Sequence, residues 1–332
     1  MTVSGWRRRT FGAAIGAAAL LFAVGTTNAR AEWRGWNIHV PDYPVSLGMD
    51  RFTELLAERT DGRLTAKTYH SGVLGSQPDA IEQLRLGGID FAVFNLGPMG
   101  QVVPAANVVS LPFVFRNVDH MHAAMDGEVG DLLSAAMEEK GLVALAWYDS
   151  GSRSFYNSKG PINTPEDLVG MKVRVMNNDL FVGMIEALGG NATPMAFAEV
   201  YQSLKTGVVD GAENNYPSFE STGHYEVAGY YSLSEHLIIP ECLCVNAALW
   251  NGLSAEDQEI VRTAARESAE LQRRLWAERD AKSRDAVIAA GVEINEIADK
   301  APFQEAMVAV YEAAFAQNPE LEALVEQIQS VQ

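Results

Sequence analysis

Two arginines near the middle of the chain could bind a small anion together. Arg153 follows Gly151 and a strand-like segment, and Arg174 lies near the end of a second strand-like segment, residues 171–175. A guanidinium group is permanently charged and presents a planar set of donors that matches a carboxylate. Ligands of open α/β sheets lie at the carboxyl ends of the strands. Spacing alone leaves two interpretations open: an anion site, or arginines paired with some of the chain's many acids.

Further candidates for the site are polar or aromatic residues that follow predicted strands or turns. They are His39, Asn95, Asn177, Phe197, Glu213, Asn214, Asn215 and Tyr216. Amide and imidazole groups both donate and accept hydrogen bonds, which suits hydroxyl groups, and an aromatic ring can cover the apolar face of a sugar. Other roles remain open for three of them: core packing for Phe197, an arginine partner for Glu213, and a neutral hydrogen bonder for His39.

Four motifs, in this order, make the chain from residue 32 onward resemble a substrate-binding protein of a TRAP (tripartite ATP-independent periplasmic) transporter. They are Gly-Ser-Arg at 151–153, Pro-x-x-Leu-x-Gly-x-Lys-x-Arg at 165–174, Pro-Met-Ala-Phe-Ala-Glu-Val-Tyr at 194–201 and Val-Asp-Gly-Ala-Glu-Asn at 209–214. The resemblance implies that Arg174 clamps a ligand carboxylate, that Arg153 assists, and that Asn214 closes the site from another loop. Asn215 departs from the pattern, because many members have proline there.

The resemblance also implies a fold and a set of partners. The expected fold is α/β: two lobes of the periplasmic binding protein type, with crossing strands, a hinge and a long helix spanning both lobes. We expect lobe I to comprise residues 32–150 and 240–279, and lobe II residues 151–239 and 280–332. The implied partners are two integral membrane subunits driven by an ion gradient, without ATP hydrolysis.

Alternating strand and helix patterns favour the same α/β organisation. Strands are predicted at 36–40, 64–69, 89–94, 143–148, 171–175, 208–210 and 237–245, and helices at 45–60, 79–86, 119–140, 179–188 and 198–205. The apolar segment 111–115 contains a proline, so an edge or a turn is expected there. A very long helix should begin after the cap residue Ser254, because no proline or glycine follows until Gly291.

The first 31 residues have the features of an export signal. Arg7, Arg8 and Arg9 precede an apolar run at 11–24, and Ala29-Arg30-Ala31 forms a small-x-small cleavage site. The apolar run is short for a membrane span, so a cleaved signal is favoured over a retained anchor, with export to the periplasm by the Sec or the twin-arginine route. The formal net charge of −18 argues against a nucleic-acid partner, because binding to phosphates requires a basic surface.

The sequence favours binding over catalysis and predicts neither a cofactor nor a metal. It contains no Gly-x-Ser-x-Gly, His-Glu-x-x-His or phosphate-loop motif. Cys242 and Cys244 are predicted to be buried as small apolar residues. We expect a monomeric receptor for a small carboxylate, with a hexuronate as first choice and a C4-dicarboxylate or another hydroxy or keto acid as the alternative. A secreted enzyme acting on an organic acid is the less favoured alternative.

Overall fold

Two β-sheets flanked by helices build the part of the chain that the structure, a computed structural model, describes: residues 1–2 and 32–332. The predicted signal segment, residues 1–31, lies outside the described residues except for its first two positions. None of the described helices combines the length and the apolar character that a membrane span requires.

The strands divide between the two sheets. In chain order they are β1 Trp33–Trp36, β2 Ala66–Tyr69, β3 Phe91–Asn95, β4 Leu142–Tyr148, β5 Ser152–Asn157, β6 Lys172–Val175, β7 Asn191–Pro194, β8 Gly211–Asn214, β9 Tyr230–Ile238, β10 Glu241–Asn246 and β11 Glu293–Glu296. The first sheet has the order β2-β1-β3-β10-β4, and the second has the order β11-β9-β5-β8-β6-β7. Each sheet mixes parallel and antiparallel pairs, with β10 antiparallel to both of its neighbours.

Thirteen α-helices cover these sheets in the described part of the chain. They are α1 Pro44–Arg59, α2 Gln77–Arg85, α3 Leu96–Met99, α4 Val118–Met125, α5 Glu128–Glu138, α6 Asp179–Ala187, α7 Val200–Thr206, α8 Tyr216–Ser221, α9 Ala247–Asn251, α10 Ala255–Ala289, α11 Ala301–Ala306, α12 Val308–Gln317 and α13 Glu320–Ser330. Short 3-10 helices occupy Pro104–Ser110, Pro165–Leu168, Phe197–Glu199 and His224–Glu226.

The chain passes between the sheets at two adjacent crossings. β4 of the first sheet leads into β5 of the second, and β9 of the second leads back into β10 of the first. Ser150, in the first crossing, donates a hydrogen bond of 2.8 Å from Oγ to the carbonyl oxygen of Ile239 in the second. Two short, adjacent connections of this kind form the hinge of a two-lobed protein.

Helix α10 is a single element that contacts both halves of the molecule. Its 35 residues correspond to a length of about 52 Å. Ser254 caps it as predicted, because its side chain accepts from the backbone N–H of Asp257. The helix packs against α1 and β4 of the first half and against α8 of the second. Gln272 holds the first crossing to the helix through two hydrogen bonds with the backbone of Asp149, of 2.8 and 2.7 Å.

Successive side chains of a strand point to opposite faces of the sheet and pack in separate apolar clusters. In β3, Phe91 and Val93 face the cluster formed with α1 and α10, whereas Ala92 and Phe94 face the cluster on the opposite side of the sheet. Because β3 is covered on both faces, all five of its residues are buried. A third cluster, rich in aromatic residues, packs on the second sheet around Tyr156, Phe219 and Tyr231.

Two predicted strands differ from the structure because the chain turns earlier than the apolar pattern indicates. The strand predicted at 36–40 is observed at Trp33–Trp36. The side chain of Asn37 accepts a hydrogen bond from the backbone N–H of His39 at 2.7 Å, which forms a turn and ends the strand. The strand predicted at 237–245 is two strands, because Ile239-Pro240 forms the second crossing and proline has no N–H for the ladder.

Two further predictions were wrong in detail. The strand predicted at 208–210 begins at Gly211, where a Cβ would lie 2.6 Å from the carbonyl oxygen of Tyr156, so only glycine allows this approach. The helix predicted at 119–140 is two helices, α4 and α5, separated at Asp126 and the extended Gly127. The turn expected at 111–115 is confirmed, since no strand forms there. Cys242 and Cys244 are unlinked and fully buried, as predicted.

Candidate ligand-binding site

A cavity lies between the two sheets, next to the crossings. It has about 580 Å³ of empty volume, part of it open to solvent. Its lining is Ile38, His39, Gln77, Pro78, Asn95, Pro98, Arg153, Arg174, Met176, Asn177, Met195, Ala196, Phe197, Asn214, Asn215, Ser218 and Glu241. Both halves of the molecule therefore contribute residues, which is the arrangement expected of a cleft that closes around a ligand.

The wall contributed by the first sheet is polar. Asn95 ends β3 and caps α3, because its Oδ1 accepts from the N–H of Gly97 at 3.0 Å. Gln77, the first residue of α2, donates to the carbonyl oxygen of Asn95 at 2.7 Å. His39 follows β1 in a loop, and its ring stacks on Tyr43 with 3.9 Å between the ring centroids. The His39 Nε2 atom lies 3.6 Å from Oε1 of Glu241, the first residue of β10.

Tyr43 connects this wall to the long helix and to the opposite half. Its ring meets the indole of Trp276, on α10, edge to face with 5.7 Å between the centroids. Its hydroxyl group is 2.8 Å from Oγ of Ser218 and donates to Oδ1 of Asn215 at 3.3 Å. The histidine of the cavity is therefore backed by a packed pair of aromatic rings.

On the wall contributed by the second sheet, Arg153 is neutralised by a buried acid. Its guanidinium group donates to both carboxylate oxygens of Glu213, from Nε at 2.6 Å and from Nη2 at 2.8 Å. It also donates to Oδ1 of Asn214 at 2.9 Å. Burial opposes the charge, yet the carboxylate of Glu213 overcomes that effect and raises the pKa of Arg153. Burial, with the Arg153 charge, lowers the pKa of the neighbouring His236 to about 3, so this ring is neutral.

Arg174 is buried as deeply, but no carboxylate pairs with it in the described part of the chain. Val173 and Val175 of β6 point into the core, and the alternation of the strand turns Arg174 to the opposite face. Its Nε and Nη2 atoms donate to the carbonyl oxygen of Met195, at 3.2 and 2.9 Å. Burial lowers the pKa of Arg174 to about 10, which still leaves it charged at neutral pH.

Glu213 and Glu199 act on Arg174 only through longer-range electrostatic attraction, and neither forms an ion pair with it. The ring of Phe197 lies with its centroid 6.0 Å from the guanidinium carbon. Burial, together with the charge of Arg174, lowers the pKa of His224 to about 3, so this histidine is neutral. A buried cation that faces a cavity without a counter-ion is a site for an anion, because its desolvation is offset only when an anion binds.

The structure brings together most of the predicted site residues. Eight of the ten line the cavity: His39, Asn95, Arg153, Arg174, Asn177, Phe197, Asn214 and Asn215. Glu213 lies outside the lining, fully buried against Arg153. Tyr216 also lies outside it, stacked on Tyr231 with 4.3 Å between the ring centroids.

Asn215, at the edge of the cavity, caps a helix and forms a hydrogen bond to the first crossing. It caps α8 by accepting from the N–H of Ser218 at 2.8 Å, and its Nδ2 atom donates to the carbonyl oxygen of Ser150 in the first crossing at 2.8 Å. The asparagine that departs from the family pattern therefore links the cavity wall to the hinge. Asn177, by contrast, is exposed at the cavity rim.

Several lining residues were not predicted, and Glu241 and Gln77 are the polar ones with the largest chemical consequence. Glu241 was not predicted as a site residue, because the apolar run across residues 237–245 suggested one continuous strand. Pro240, directly before it, could have indicated that the strand is interrupted there. Gln77 begins a helix just after the glycines of its preceding loop, where a backbone turn brings it to the cavity. Among the described residues, no group of three or more His, Cys, Asp or Glu side chains could hold a metal ion.

Comparisons with known proteins agree with this geometry. Residues 37–318 match the family described as bacterial extracellular solute-binding protein, family 7 (DctP). A solute-binding protein of Chromohalobacter salexigens is 54% identical over 331 residues, which covers 98% of each chain.

Two solved structures are similar over the whole fold. One is a TRAP periplasmic solute-binding protein from Sulfitobacter sp. NAS-14.1 with bound β-D-galacturonate: 67% identity, TM-score 0.88, covering 90% of this chain and 99% of that one. The other is a TRAP periplasmic solute-binding protein from Roseobacter denitrificans with bound β-D-glucuronate: 64% identity, TM-score 0.90, covering 91% of this chain and 100% of that one.

Proposed function

This chain belongs to bacterial extracellular solute-binding protein family 7, and on that premise we propose that it captures a hexuronate, such as glucuronate or galacturonate, for a TRAP transporter. The observation that carries the proposal is the buried cation of Arg174, which no carboxylate of the described residues pairs with, in a cavity lined by both amide and imidazole groups and apolar side chains. The two uronate-bound relatives share more than 60% of their residues with this chain, which supports the same ligand class.

In this proposal, Arg174 receives the ligand carboxylate. The carbonyl oxygen of Met195 holds Nε and Nη2 in a fixed orientation, so little side-chain entropy is lost when the anion arrives. A charge-assisted hydrogen bond to a carboxylate is about twice as strong as a neutral one. The ring of Phe197, beside the guanidinium group, then covers an apolar face of the sugar.

The hydroxyl groups of the ligand are assigned to the amides and the imidazole of the cavity. Oδ1 of Asn95 is engaged by Gly97, which leaves its amide nitrogen for an acceptor on the ligand. Asn177 and His39 supply further donors and acceptors at the rim and on the opposite wall. A hydroxyl group both donates and accepts, so a lining of this composition suits a sugar better than an apolar acid.

The alternative ligand, a C4-dicarboxylate, would need a second cation. Arg153 is the candidate for that role, but its charge is already balanced by two hydrogen bonds to Glu213. Breaking this buried pair to bind a second carboxylate would leave Glu213 uncompensated, which is strongly unfavourable. Hence a ligand with one carboxylate is favoured, and Arg153 acts mainly by holding Asn214 in place.

Capture is proposed to occur by closure about the hinge. Asn178, which caps α6, donates to the carbonyl oxygen of Gly97 at 2.7 Å and to Oδ1 of Asn107 at 2.8 Å, so it joins the two halves beside the cavity. A ligand that contacts both walls favours the closed form through its differential affinity. The lobe boundaries proposed are 32–150 with 240–279, and 151–239 with 280–332; the strands change sheet close to residues 150 and 240, which supports them.

The family consists of periplasmic solute-binding receptors rather than enzymes. We propose that this chain is likewise a receptor and that it acts as a monomer after export with a cleaved signal. It leaves its ligand chemically unchanged and delivers it to integral membrane subunits. The cavity's arginines and amides are suited to holding an anion, and they form no nucleophile–base pair.

Thermal denaturation of the mature protein with a small ligand panel tests the proposed function. D-glucuronate and D-galacturonate should raise the melting temperature, because a ligand at about 100 times its Kd stabilises the folded state by roughly 2.7 kcal/mol. D-glucose, which has the same ring but no carboxylate, is the matched control and should have no effect. Stabilisation by succinate or malate without stabilisation by either uronate would contradict the proposal. Mass spectrometry of the recovered uronate should show it unchanged.

A further inference from the structure

Glu241 places an acid in the cavity wall that no arginine or lysine neutralises in the described part of the chain. It is the first residue of β10, directly after the second crossing, and it lies opposite Asn95 in the sheet. Only 4% of its surface is exposed, and that surface belongs to the cavity lining. Glu213, another buried acid near the cavity, differs because its charge is matched by Arg153.

The carboxylate oxygens of Glu241 accept no hydrogen bond from the described residues. Their closest polar partner is His39, whose Nε2 atom is 3.6 Å from Oε1, too long for a good hydrogen bond. His39 is fixed in this position by its stacking on Tyr43 and by the turn at Asn37. A buried carboxylate normally receives hydrogen bonds, so these oxygens require donors from a molecule in the cavity.

The two walls of the cavity therefore differ in charge. Arg174 offers donors and a positive charge on one side, and Glu241 offers acceptors and a negative charge on the other. A hexuronate is complementary to this arrangement, because it has a carboxylate at one end and donating hydroxyl groups elsewhere. A sugar diacid of the same carbon number has a second carboxylate in place of the hemiacetal carbon and is therefore an open chain, so the charge effect is isolated by comparing it with its own half-amide. A short dicarboxylate has a carboxylate at each end.

We propose that Glu241, together with His39, determines specificity by accepting sugar hydroxyl groups and excluding ligands with a second carboxylate. This inference rests on the uronate-binding function proposed above. It goes further by specifying which ligands are excluded, namely those with a second carboxylate. Two like charges in contact within a site largely shielded from water repel each other strongly enough to lower affinity on the order of a hundredfold or more. The receptor therefore takes up sugar monoacids and leaves sugar diacids in solution.

Titration calorimetry with galacturonate and galactarate, the diacid of the same sugar, tests this inference. The wild-type protein should bind galacturonate at least about a hundredfold more tightly than galactarate. The isosteric variant Glu241→Gln keeps the shape of the wall, removes the charge and adds a donor. It should reduce this preference at least tenfold, mainly by binding galactarate more tightly.

The matched control is Glu186→Gln, which removes the same charge from an exposed position on α6 outside the cavity lining. It should leave the preference unchanged, and circular dichroism should show that both variants are folded. The half-amide of galactarate gives a test that needs no variant. It keeps the polar end without its charge, and the wild-type protein should bind it at least tenfold more tightly than the diacid.

The outcomes separate this inference from the proposed function. Equal affinity of the wild-type protein for galacturonate and galactarate, or an unchanged preference in Glu241→Gln, overturns the role of Glu241 while the receptor function stands. Failure of the wild-type protein to bind galacturonate or glucuronate overturns the proposed function itself, and the specificity inference with it.

Discussion

Arg153 and Arg174 stand in the same sheet, and both are 3% exposed, yet their surroundings are opposite. Arg153 forms an ion pair with Glu213 and also donates to the carbonyl oxygen of Glu213 and to Oδ1 of Asn214. Among the described residues, Arg174 donates hydrogen bonds only to the carbonyl oxygen of Met195, and it lies between an aromatic ring and a neutral histidine. The first arginine is balanced within the protein, and the second becomes balanced only when an anion enters.

This difference separates a structural arginine from a binding arginine, although the sequence presents them alike. A satisfied buried ion pair is destabilised when one partner is removed, because the other charge is left unpaired. A buried cation without a counter-ion destabilises the ligand-free protein, because the cost of removing it from water is not offset. Replacing it by an apolar side chain removes this cost. The same substitution at the two positions should therefore act on different properties.

The largest effect is expected from Arg174→Met, which removes the charge and keeps much of the side-chain volume. Uronate affinity should fall at least about a thousandfold, or roughly 4 kcal/mol, because the ligand carboxylate loses its only unpaired cation. The free energy of unfolding of the ligand-free protein should not decrease. Calorimetry measures the first quantity and urea denaturation the second; affinity within tenfold of wild type would remove Arg174 from the role of clamp.

Arg153→Met should act mainly on stability. The free energy of unfolding should fall by about 3–5 kcal/mol, because Glu213 is left buried and uncompensated. Replacing the acid as well, in Arg153→Met with Glu213→Leu, should restore most of the loss and forms the matched control in a double-mutant cycle. Urea denaturation of the ligand-free proteins supplies the values. An unchanged stability of the single variant would show that the ion pair is not a structural unit.

The smallest effect is expected from Tyr216→Phe. Tyr216 was a predicted site residue, but it stacks on Tyr231 and does not line the cavity. Uronate affinity should stay within about twofold of wild type, since the hydroxyl group does not reach the ligand, and stability should change by no more than about 1 kcal/mol. A loss of affinity above tenfold would mean that Tyr216 moves into the cavity on closure.

The sequence predicts the fold best where a single physical rule decides the outcome. The uninterrupted helical pattern after Ser254 predicts α10, because nothing in it breaks a helix. Arg174 was expected only to lie near a strand end, and its position between two core-facing valines explains why it points away from the core. The motifs predict the chemistry of one wall of the cavity, since four of its residues lie within or next to them: Arg153, Arg174, Phe197 and Asn214.

The opposite wall was harder to predict because its residues come from separate parts of the chain. Glu241 is brought beside His39 by the antiparallel insertion of β10 between β3 and β4, although the two residues are far apart in the sequence. No local pattern encodes such a contact. Similarly, the pairing of Glu213 with Arg153 depends on the register of β5 against β8, so spacing alone could not distinguish the two arginines, and only the family resemblance ranked Arg174 above Arg153.

Three aromatic rings in series connect the cavity wall to the long helix. The indole of Trp276 touches the ring of Tyr43, and that ring lies flat against His39, a residue of the cavity wall. We expect a ligand at His39 to alter the emission of Trp276, which would report capture and release without an attached dye.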